Sequence, residues 1–245
     1  MKLKDKVAVI TGGSRGLGKA MAQRFLEEGA VVIITATSEG NLRKAVEELG
    51  SLGEIEGVRM DVSQYGTVQE ILAGIIEKYG RVDILVNNAG ITADAQLAKM
   101  TEEQFDKVVA VNLKGVYACT KAVVNSMIER GYGRIVNIAS VTAHNGSFGQ
   151  TNYAATKAGV ISMTQTWAKE LGKKGITVNA VAPGYTLTEM METVPEKVLD
   201  SIKEKTPVKR LGTPEEIAGA CVYIASDEAA FVNGAVLKID GGLAL

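Results

Sequence analysis

Short apolar stretches rich in β-branched residues recur along the chain, and longer segments with helical periodicity separate them. These stretches predict seven strands, over Val7–Ile10, Val31–Thr35, Ile55–Met60, Val82–Val86, Ile135–Ile138, Ile176–Val181 and Val236–Ile239. The apolar positions within most of them are continuous rather than alternating, which is typical of parallel strands that are covered on both faces.

The intervening segments predict helices over Gly16–Glu28, Asn41–Leu49, Val68–Tyr79, Glu102–Arg130, Tyr153–Leu171 and Pro214–Ser226. Because strands and helices alternate, each crossover is expected to be right-handed. The pattern therefore predicts an α/β fold of the Rossmann type, with a doubly wound seven-stranded parallel sheet and helices on both faces. No Pro-, Gly- or Ser-rich linker interrupts it, so residues 1–245 are expected to form a single domain.

Composition narrows the possible partners. The chain is 46% hydrophobic and 22% charged with a net charge of −1, so we expect neither nucleic acid nor an anionic membrane as a partner. No apolar run reaches the length of a membrane span and Met1–Lys6 does not lead into a signal-peptide core, which favours a cytoplasmic protein. Cys119 and Cys221 lie far apart without metal-ligand spacing, so we expect core residues and no metal site, rather than a disulfide or redox pair.

A glycine-rich segment follows the first predicted strand and opens the first predicted helix. It comprises Gly12, Gly13, Ser14, Arg15, Gly16, Leu17 and Gly18. Glycines at such a turn let the backbone approach a pyrophosphate at the helix N-terminus, which predicts a dinucleotide-binding domain. The spacing Gly-x-x-x-Gly-x-Gly differs from the Gly-x-Gly-x-x-Gly fingerprint, and glycines that serve the turn alone are the alternative.

The end of the second strand bears on which dinucleotide binds. An NAD site usually carries an acid there, which bonds the ribose 2′-hydroxyl. The chain instead reads Thr35-Ala36-Thr37-Ser38, and the hydroxyls of Thr37 and Ser38 together with Arg15 can bind a 2′-phosphate. This pattern predicts NADP (NADPH) as the cofactor. The alternative, that Thr37 and Ser38 only cap the next helix, is compatible with the same residues.

Two more strand ends contribute candidate cofactor contacts. Asp61 follows the third strand and can accept a bond from an adenine amino group, with Val62 beside the ring; a cap of the following turn is the alternative. Asn88, Ala89 and Gly90 follow the fourth strand, where small residues let a cofactor pass close to the backbone.

The candidate chemistry lies after the fifth strand. Tyr153 and Lys157 are four residues apart on a predicted helix, hence on one face, and Ser140 ends the preceding strand. A free tyrosine titrates near pH ~10, and a nearby ammonium favours the phenolate, so Lys157 is expected to lower the pKa of Tyr153 towards the working range. Two hydroxyls on one carbonyl oxygen would polarise it for hydride attack. A Tyr–Lys pair alone is more often a surface pair.

Taken together, these motifs make the chain resemble the short-chain dehydrogenases/reductases over essentially Lys6–Gly242. The matching segments are Thr11–Gly18, Asn87–Gly90, Asn112, Ser140, Tyr153–Lys157 and Pro183-Gly184. The resemblance implies that Asn112 completes a catalytic tetrad, bends its helix and holds a water in a proton relay to Lys157. It also implies that Lys157 binds the cofactor ribose, that Pro183 and Gly184 pack against the nicotinamide, and that Thr186 and Thr188 meet its carboxamide. A homotetramer is implied as well.

Within that family, the segments Ile33–Glu39, Asn88–Asp94 and Gly149–Tyr153 resemble the reductases of 3-oxoacyl thioesters on acyl carrier protein. Gly146–Tyr153 and Pro183–Tyr185 also resemble the reductases of acetoacetyl-CoA. The resemblance implies an NADPH-dependent oxidoreductase of fatty-acid synthesis that acts on an acyl thioester, with residues 189–207 as a substrate lid. A sugar, polyol or steroid dehydrogenase is the alternative, followed by a cofactor-binding protein without catalysis.

For several basic residues the sequence is compatible with two different roles. His144, the only histidine, follows Ser140 closely and is either a substrate contact or a loop residue. Arg130, Arg134, Lys173 and Lys174 are either a basic patch for an acidic carrier protein or ordinary solvated charges.

Overall fold

The structure, a computed structural model, describes residues 1–188 and 196–243. Within these residues, seven parallel strands form one sheet in the order β3-β2-β1-β4-β5-β6-β7. The strands are β1 Val7–Thr11, β2 Val31–Ala36, β3 Ile55–Arg59, β4 Ile84–Asn87, β5 Gly133–Ile138, β6 Ile176–Pro183 and β7 Val236–Ile239. The predicted fold class is confirmed, and every predicted strand is present with ends shifted by two residues at most.

Helices cover both faces of the sheet. They are α1 Gly16–Glu27, α2 Glu39–Leu49, α3 Tyr65–Tyr79, α4 Glu102–Val109, α5 Gly115–Arg130, α6 Thr142–Asn145, α7 Thr151–Leu171, α8 Glu196–Lys205 and α9 Pro214–Ala225. One buried cluster joins α1, α2 and α9 to the sheet, and a second joins α3, α5 and α7 to the opposite face. Continuous apolar strands are therefore required, since each strand buries side chains on both sides.

The order of the strands determines where a ligand can bind. β1 lies between β2 and β4, so the chain leaves β1 towards one side of the sheet and leaves β4 towards the other. In open α/β sheets, ligands bind at such a switch point, beyond the carboxyl ends of the strands. The glycine turn after β1 and the segment Asn88–Gly90 after β4 meet at this point.

The predicted helix over Glu102–Arg130 is interrupted. Its first part, α4, ends at Val109, and the π-helical segment Ala110–Lys114 connects it to α5. A π turn inserts one extra residue into a helix, which displaces the helices on either side and often marks a functional position. Asn112, which the family resemblance places at a bend, lies in this segment.

Two further expectations concern regions away from the sheet edge. Cys119 and Cys221 are buried in the clusters on opposite faces of the sheet, so the prediction of two core cysteines is confirmed. Of the predicted lid, residues 189–195 lie outside the described residues, and α8 covers most of the remainder. None of the helices in the described ranges is long and apolar enough to cross a membrane.

Candidate active site

The glycine turn packs closely at Gly12, Gly13 and Gly18, where a side chain would meet neighbouring atoms. A Cβ atom on Gly18 would lie 2.1 Å from the carbonyl oxygen of Gly12, and one on Gly13 would lie 2.6 Å from Cγ2 of Ile34. Gly12 has φ of +65°, and a Cβ there would lie 2.9 Å from Cα of Ala89. These glycines bring α1 close to β1 and β4, which leaves bare backbone at the switch point.

The start of α1 fits a phosphate group. Its N-cap is Arg15, an exposed residue whose side chain makes no capping hydrogen bond, so the first N–H groups of the helix are not capped by it. Ser14, Gly16 and Leu17 are partly exposed around it. A Cβ on Gly16 would meet only Thr188, at 4.0 Å. Bare backbone and an uncapped helix N-terminus are what a pyrophosphate requires.

Asn88 links the glycine turn to the end of β4. Its Nδ2 donates to the carbonyl oxygens of Thr11 at 2.9 Å and Gly12 at 3.1 Å. In return, Oγ1 of Thr11 accepts hydrogen bonds from the backbone N–H groups of Asn88 and Ala89, both at 3.0 Å. Thus Asn88 has a structural part in shaping the turn, and the contact with a cofactor stays a prediction for Asn88 and Ala89.

Tyr153 and Ser140 meet at the carboxyl edge of the sheet. Ser140 follows β5 and Tyr153 lies in the first turn of α7, so both side chains are at this edge. Burial raises the pKa of Tyr153, the neighbouring Ser140 hydroxyl lowers it in part, and the negative charge of Asp94 raises it further. The phenol is therefore protonated at neutral pH, which is the form that an acid requires. The predicted lowering of this pKa by Lys157 stays a prediction.

Lys157 is buried beneath the tyrosine. Its Nζ donates to the carbonyl oxygen of Ile138 at 2.7 Å and lies 5.6 Å from the centroid of the Tyr153 ring. Burial lowers the pKa of Lys157 to about 8. The amine is thus close to the phenol, as the spacing of four residues predicts, and it retains donors for a further partner.

The lowered pKa of Lys157 predicts a dependence of stability on pH. Between about 8 and 10.5 the unfolded chain binds a proton at this lysine and the folded chain does not. The free energy of unfolding of the wild type, relative to that of Lys157→Met, should therefore rise with pH across this window and level off on either side. Urea unfolding of both proteins from pH 7 to 11 measures it. A difference that is the same at every pH would contradict the assigned burial.

Asn112 positions the loop that follows β4. Its Oδ1 accepts from the backbone N–H of Ile91 and its Nδ2 donates to the carbonyl oxygen of Ile91, both at 2.9 Å. A Cβ on Gly90 would lie 3.4 Å from Oδ1 of Asn112 and 3.7 Å from Nζ of Lys157. Asn112 and Lys157 therefore both lie beside Gly90. Both ends of the carboxamide bind Ile91, and the water of the predicted relay stays a prediction.

The residues at the adenosine end of the predicted cofactor site have local partners of their own. Oγ of Ser38 accepts from the N–H of Asn41 at 3.3 Å, so Ser38 caps α2, whereas Thr37 is exposed. Oδ1 of Asp61 accepts from N and Oγ of Ser63 at 2.9 and 2.7 Å. The capping alternatives therefore hold for Ser38 and Asp61. Binding of a ligand by Thr37 and Asp61 stays a prediction.

The segment after β6 borders the tyrosine from the other side. Pro183 ends the strand, and its carbonyl oxygen accepts from the N–H of Val141, next to Ser140, at 3.1 Å. A Cβ on Gly184 would lie 2.8 Å from Cα of Asp240, so only glycine fits there. Oγ1 of Thr186 donates to the carbonyl oxygen of Gly184 at 3.2 Å. Val62, beyond the other end of the site, is buried against Gly115.

Hydrogen bonds between residues 93–95 and residues 149–152, next to Tyr153, were not predicted from the sequence. Oδ2 of Asp94 accepts from Nε2 of Gln150 at 2.9 Å, and the N–H of Ala95 donates to Gly149 at 2.9 Å. Asn152 adds a bond from its Nδ2 to the carbonyl oxygen of Ala93, at 3.0 Å. These contacts join the loop after β4 to the start of α7 and the residues just before it, more than fifty residues away along the chain, and no periodicity or spacing in the sequence indicates them.

The structure gives the surroundings of the basic residues whose roles the sequence did not decide. Arg130 pairs with Asp83 at 2.8 Å and Arg134 pairs with Asp227 at 2.9 Å, so both serve the fold at the amino edge of the sheet. Of the four residues of the predicted basic patch, Lys173 and Lys174 stay candidates for binding a carrier protein. His144 is exposed on α6.

Comparison with known proteins identifies the family. A family model described as enoyl-(acyl carrier protein) reductase matches residues 12–244. The 3-oxoacyl-[acyl-carrier-protein] reductase FabG of Thermotoga maritima is 48% identical over 100% of both chains, and the enzyme of that name from Escherichia coli is 41% identical over 99% of both. Nodulation protein G of Azospirillum brasilense is 44% identical over 98% of this chain and 99% of its own.

A solved structure described as a gluconate dehydrogenase from Agrobacterium tumefaciens matches with a TM-score of 0.96 and 34% identity, over 99% of this chain and 97% of that one. The fold and the site define a Rossmann-type protein with a Ser–Tyr–Lys centre. The chain belongs to the short-chain dehydrogenase/reductase family, within the branch that the enoyl-(acyl carrier protein) reductase model describes. Membership in this family implies a nicotinamide cofactor.

Proposed function

We propose that the protein is an NADPH-dependent reductase that converts a 3-oxoacyl thioester, carried by acyl carrier protein or CoA, into the 3-hydroxyacyl thioester of fatty-acid synthesis. One observation carries the proposal: the Tyr153 phenol lies beside the Ser140 hydroxyl, with Nζ of Lys157 5.6 Å from the centroid of its ring, next to a backbone turn that fits a pyrophosphate. The names of the relatives, FabG enzymes at 41–48% identity over nearly the whole chain, support the choice of substrate.

Four residues of this chain have separate roles in the proposed reduction. When bound, the cofactor supplies a hydride to the β-carbonyl carbon. Ser140 donates a hydrogen bond that holds the carbonyl oxygen, and Tyr153 donates the proton that the oxygen takes up as the alkoxide forms. Lys157, beside the tyrosine, binds the ribose hydroxyls and favours the phenolate that remains. Asn112 keeps the loop after β4 against this group through its two bonds to Ile91.

The preference for NADPH over NADH rests on the end of β2. No acid stands at Ala36, Thr37 or Ser38, so a 2′-phosphate meets no repulsion from them, and Arg15 and Thr37 can bind it. Asp61 and Val62 would hold the adenine, and Pro183, Gly184, Thr186 and Thr188 would border the nicotinamide. The steady-state KM for NADPH is expected to be at least about tenfold below that for NADH, a difference of ~1.4 kcal/mol. Equal values would contradict the assignment.

Substrate choice is the next test. Purified protein should oxidise NADPH with acetoacetyl-CoA and with acetoacetyl-acyl carrier protein, at a kcat/KM at least about a hundredfold above that for simple ketones and keto sugars. This expectation rests on binding energy from the thioester carrier. A gluconate dehydrogenase is the second candidate, favoured by the structural match to the Agrobacterium protein. Turnover of gluconate but not of either thioester would replace the first proposal with the second.

The remaining parts of the proposal concern the setting of the enzyme. We propose that the protein is a cytoplasmic homotetramer in which each chain forms a single domain. Residues 189–207 of each chain would be the substrate lid, and acyl carrier protein would be a partner when it carries the substrate. Light scattering of the purified protein should give about four times the mass of one 25.9 kDa chain. A stable monomer would contradict the tetramer without affecting the assigned chemistry.

A further inference from the structure

An arginine at the carboxyl end of β3 has no role in the site described so far. Arg59 is the last residue of that strand, and its side chain is exposed. Within the described ranges, 1–188 and 196–243, it forms no ion pair. Arginines of this chain that serve the fold, such as Arg130 and Arg134, are instead paired with carboxylates. An unpaired guanidinium at the edge of the sheet that binds the cofactor is therefore available for a ligand.

The sheet register places Arg59 beside the end of β2. Arg59 is the register partner of Ala36, and the next residue, Met60, donates its N–H to the carbonyl oxygen of Ala36 at 3.0 Å. On the other side of β2, the N–H of Gly13 donates to the carbonyl oxygen of Thr35 at 3.0 Å. The end of β2 is thus held between the turn that carries Arg15 and the strand end that carries Arg59.

Arg59 also lies on the face of the sheet that α2 covers, which is the face where a 2′-phosphate at the end of β2 would bind. A Cβ on Gly57 would lie 3.1 Å from Val46 and 3.3 Å from Leu42, so that position faces α2. Residues two apart on a strand share a face, and Arg59 therefore lies on the α2 side, nearer to the start of α2 than Gly57 is. Thr37 and the N-terminus of α2 are located there, and the positive end of the helix favours the same anion.

We propose that Arg59 is a specificity-determining residue that binds the 2′-phosphate of NADP from the β3 side, opposite Arg15. This inference rests on the NADPH preference proposed above. Glu39, in the first turn of α2, places a negative charge near that phosphate, and Arg59 offsets it from the adjacent strand. The planar guanidinium suits a phosphate group, to which it can donate two parallel hydrogen bonds.

The test measures binding of cofactor fragments and needs no turnover. Isothermal titration gives the dissociation constants of adenosine 2′,5′-bisphosphate and adenosine 5′-monophosphate for the wild type and for Arg59→Gln. Loss of Arg59 should weaken the bisphosphate about five- to tenfold, leave the monophosphate unchanged, and have a smaller effect at high salt. The control Lys4→Gln removes one positive charge from an exposed residue before β1, far from the site, and should change neither constant.

Three outcomes would overturn the inference. The bisphosphate could bind Arg59→Gln as tightly as it binds the wild type, or both nucleotides could weaken equally, or Lys4→Gln could reproduce the effect as a general consequence of net charge. Different measurements test the proposed function, so its failure can be distinguished from failure of this inference. If the wild type does not distinguish the two nucleotides, the NADPH preference is wrong, whereas activity with 3-oxoacyl thioesters is measured independently with either reduced cofactor.

Discussion

Replacing Tyr153 with phenylalanine is expected to lower kcat for reduction of a 3-oxoacyl thioester by about 10²–10⁴-fold, the usual contribution of a positioned acid. The variant keeps the aromatic ring and loses only the hydroxyl that lies beside Ser140. The glycine turn, which is built from other residues, should still bind cofactor with unchanged affinity. Stopped-flow turnover and titration of NADPH fluorescence measure the two quantities separately.

Tyr117→Phe is the matched control for this variant. Tyr117 lies on α5, about two-fifths exposed, and stacks on Tyr65 with ring centroids 6.2 Å apart. Its loss of a hydroxyl should leave kcat within about twofold of the wild type, as is usual for surface changes. If Tyr153→Phe retained near-normal turnover, the acid would have to be another group, and the proposed chemistry would be wrong.

The second large effect is expected from Gly18→Ala. The added Cβ would lie 2.1 Å from the carbonyl oxygen of Gly12 and 2.7 Å from Nδ2 of Asn88, so α1 must move away from the turn. Such overpacking costs about 1–3 kcal/mol of the free energy of unfolding. Because the same movement displaces the backbone that holds the pyrophosphate, cofactor affinity should fall by at least about tenfold, or ~1.4 kcal/mol.

Gly74→Ala makes the same chemical change where there is space for it. Gly74 lies in the middle of α3, exposed, and a Cβ there meets nothing within 4 Å. This variant should gain about 0.5–1 kcal/mol, since alanine favours the helix, and should bind cofactor as the wild type does. Chemical denaturation and fluorescence titration compare the pair. A Gly18→Ala protein that is as stable as Gly74→Ala would show that the turn is not closely packed.

Local sequence predicted the fold because its signals are local. Each strand is a short apolar run such as Val7–Thr11, each long helix carries its own periodicity, and the alternation leaves a parallel sheet as the only simple topology. The chain also supplies the turn residues and caps at those boundaries, as at Thr213, whose hydroxyl caps α9. Periodicity does not reveal every departure from regular geometry: nothing in the apolar pattern of Glu102–Arg130 indicates the π turn that separates α4 from α5, and only the family resemblance implied a bend at Asn112.

The candidate site was predictable only in part. Ser140, Tyr153 and Lys157 were predicted from strand ends and helical spacing, and the structure brings them together. The roles of Asn112 and Asn88 as ties between loops were not predicted, since each bonds backbone groups more than twenty residues away. A hydrogen bond to a distant carbonyl leaves no trace in residue type, because any polar side chain could have made it.

The sequence by itself determined the order of strands and helices, the positions of the glycines at the turn and the spacing that puts Tyr153 and Lys157 on one helix face. Tertiary structure alone decided which strand ends are neighbours, how deeply Lys157 is buried, and that Arg59 lies across β2 from the turn that carries Arg15. The physical reason is one of range. Propensity and periodicity act over a few residues, whereas sheet register, desolvation and charge proximity depend on contacts between segments that are distant along the chain.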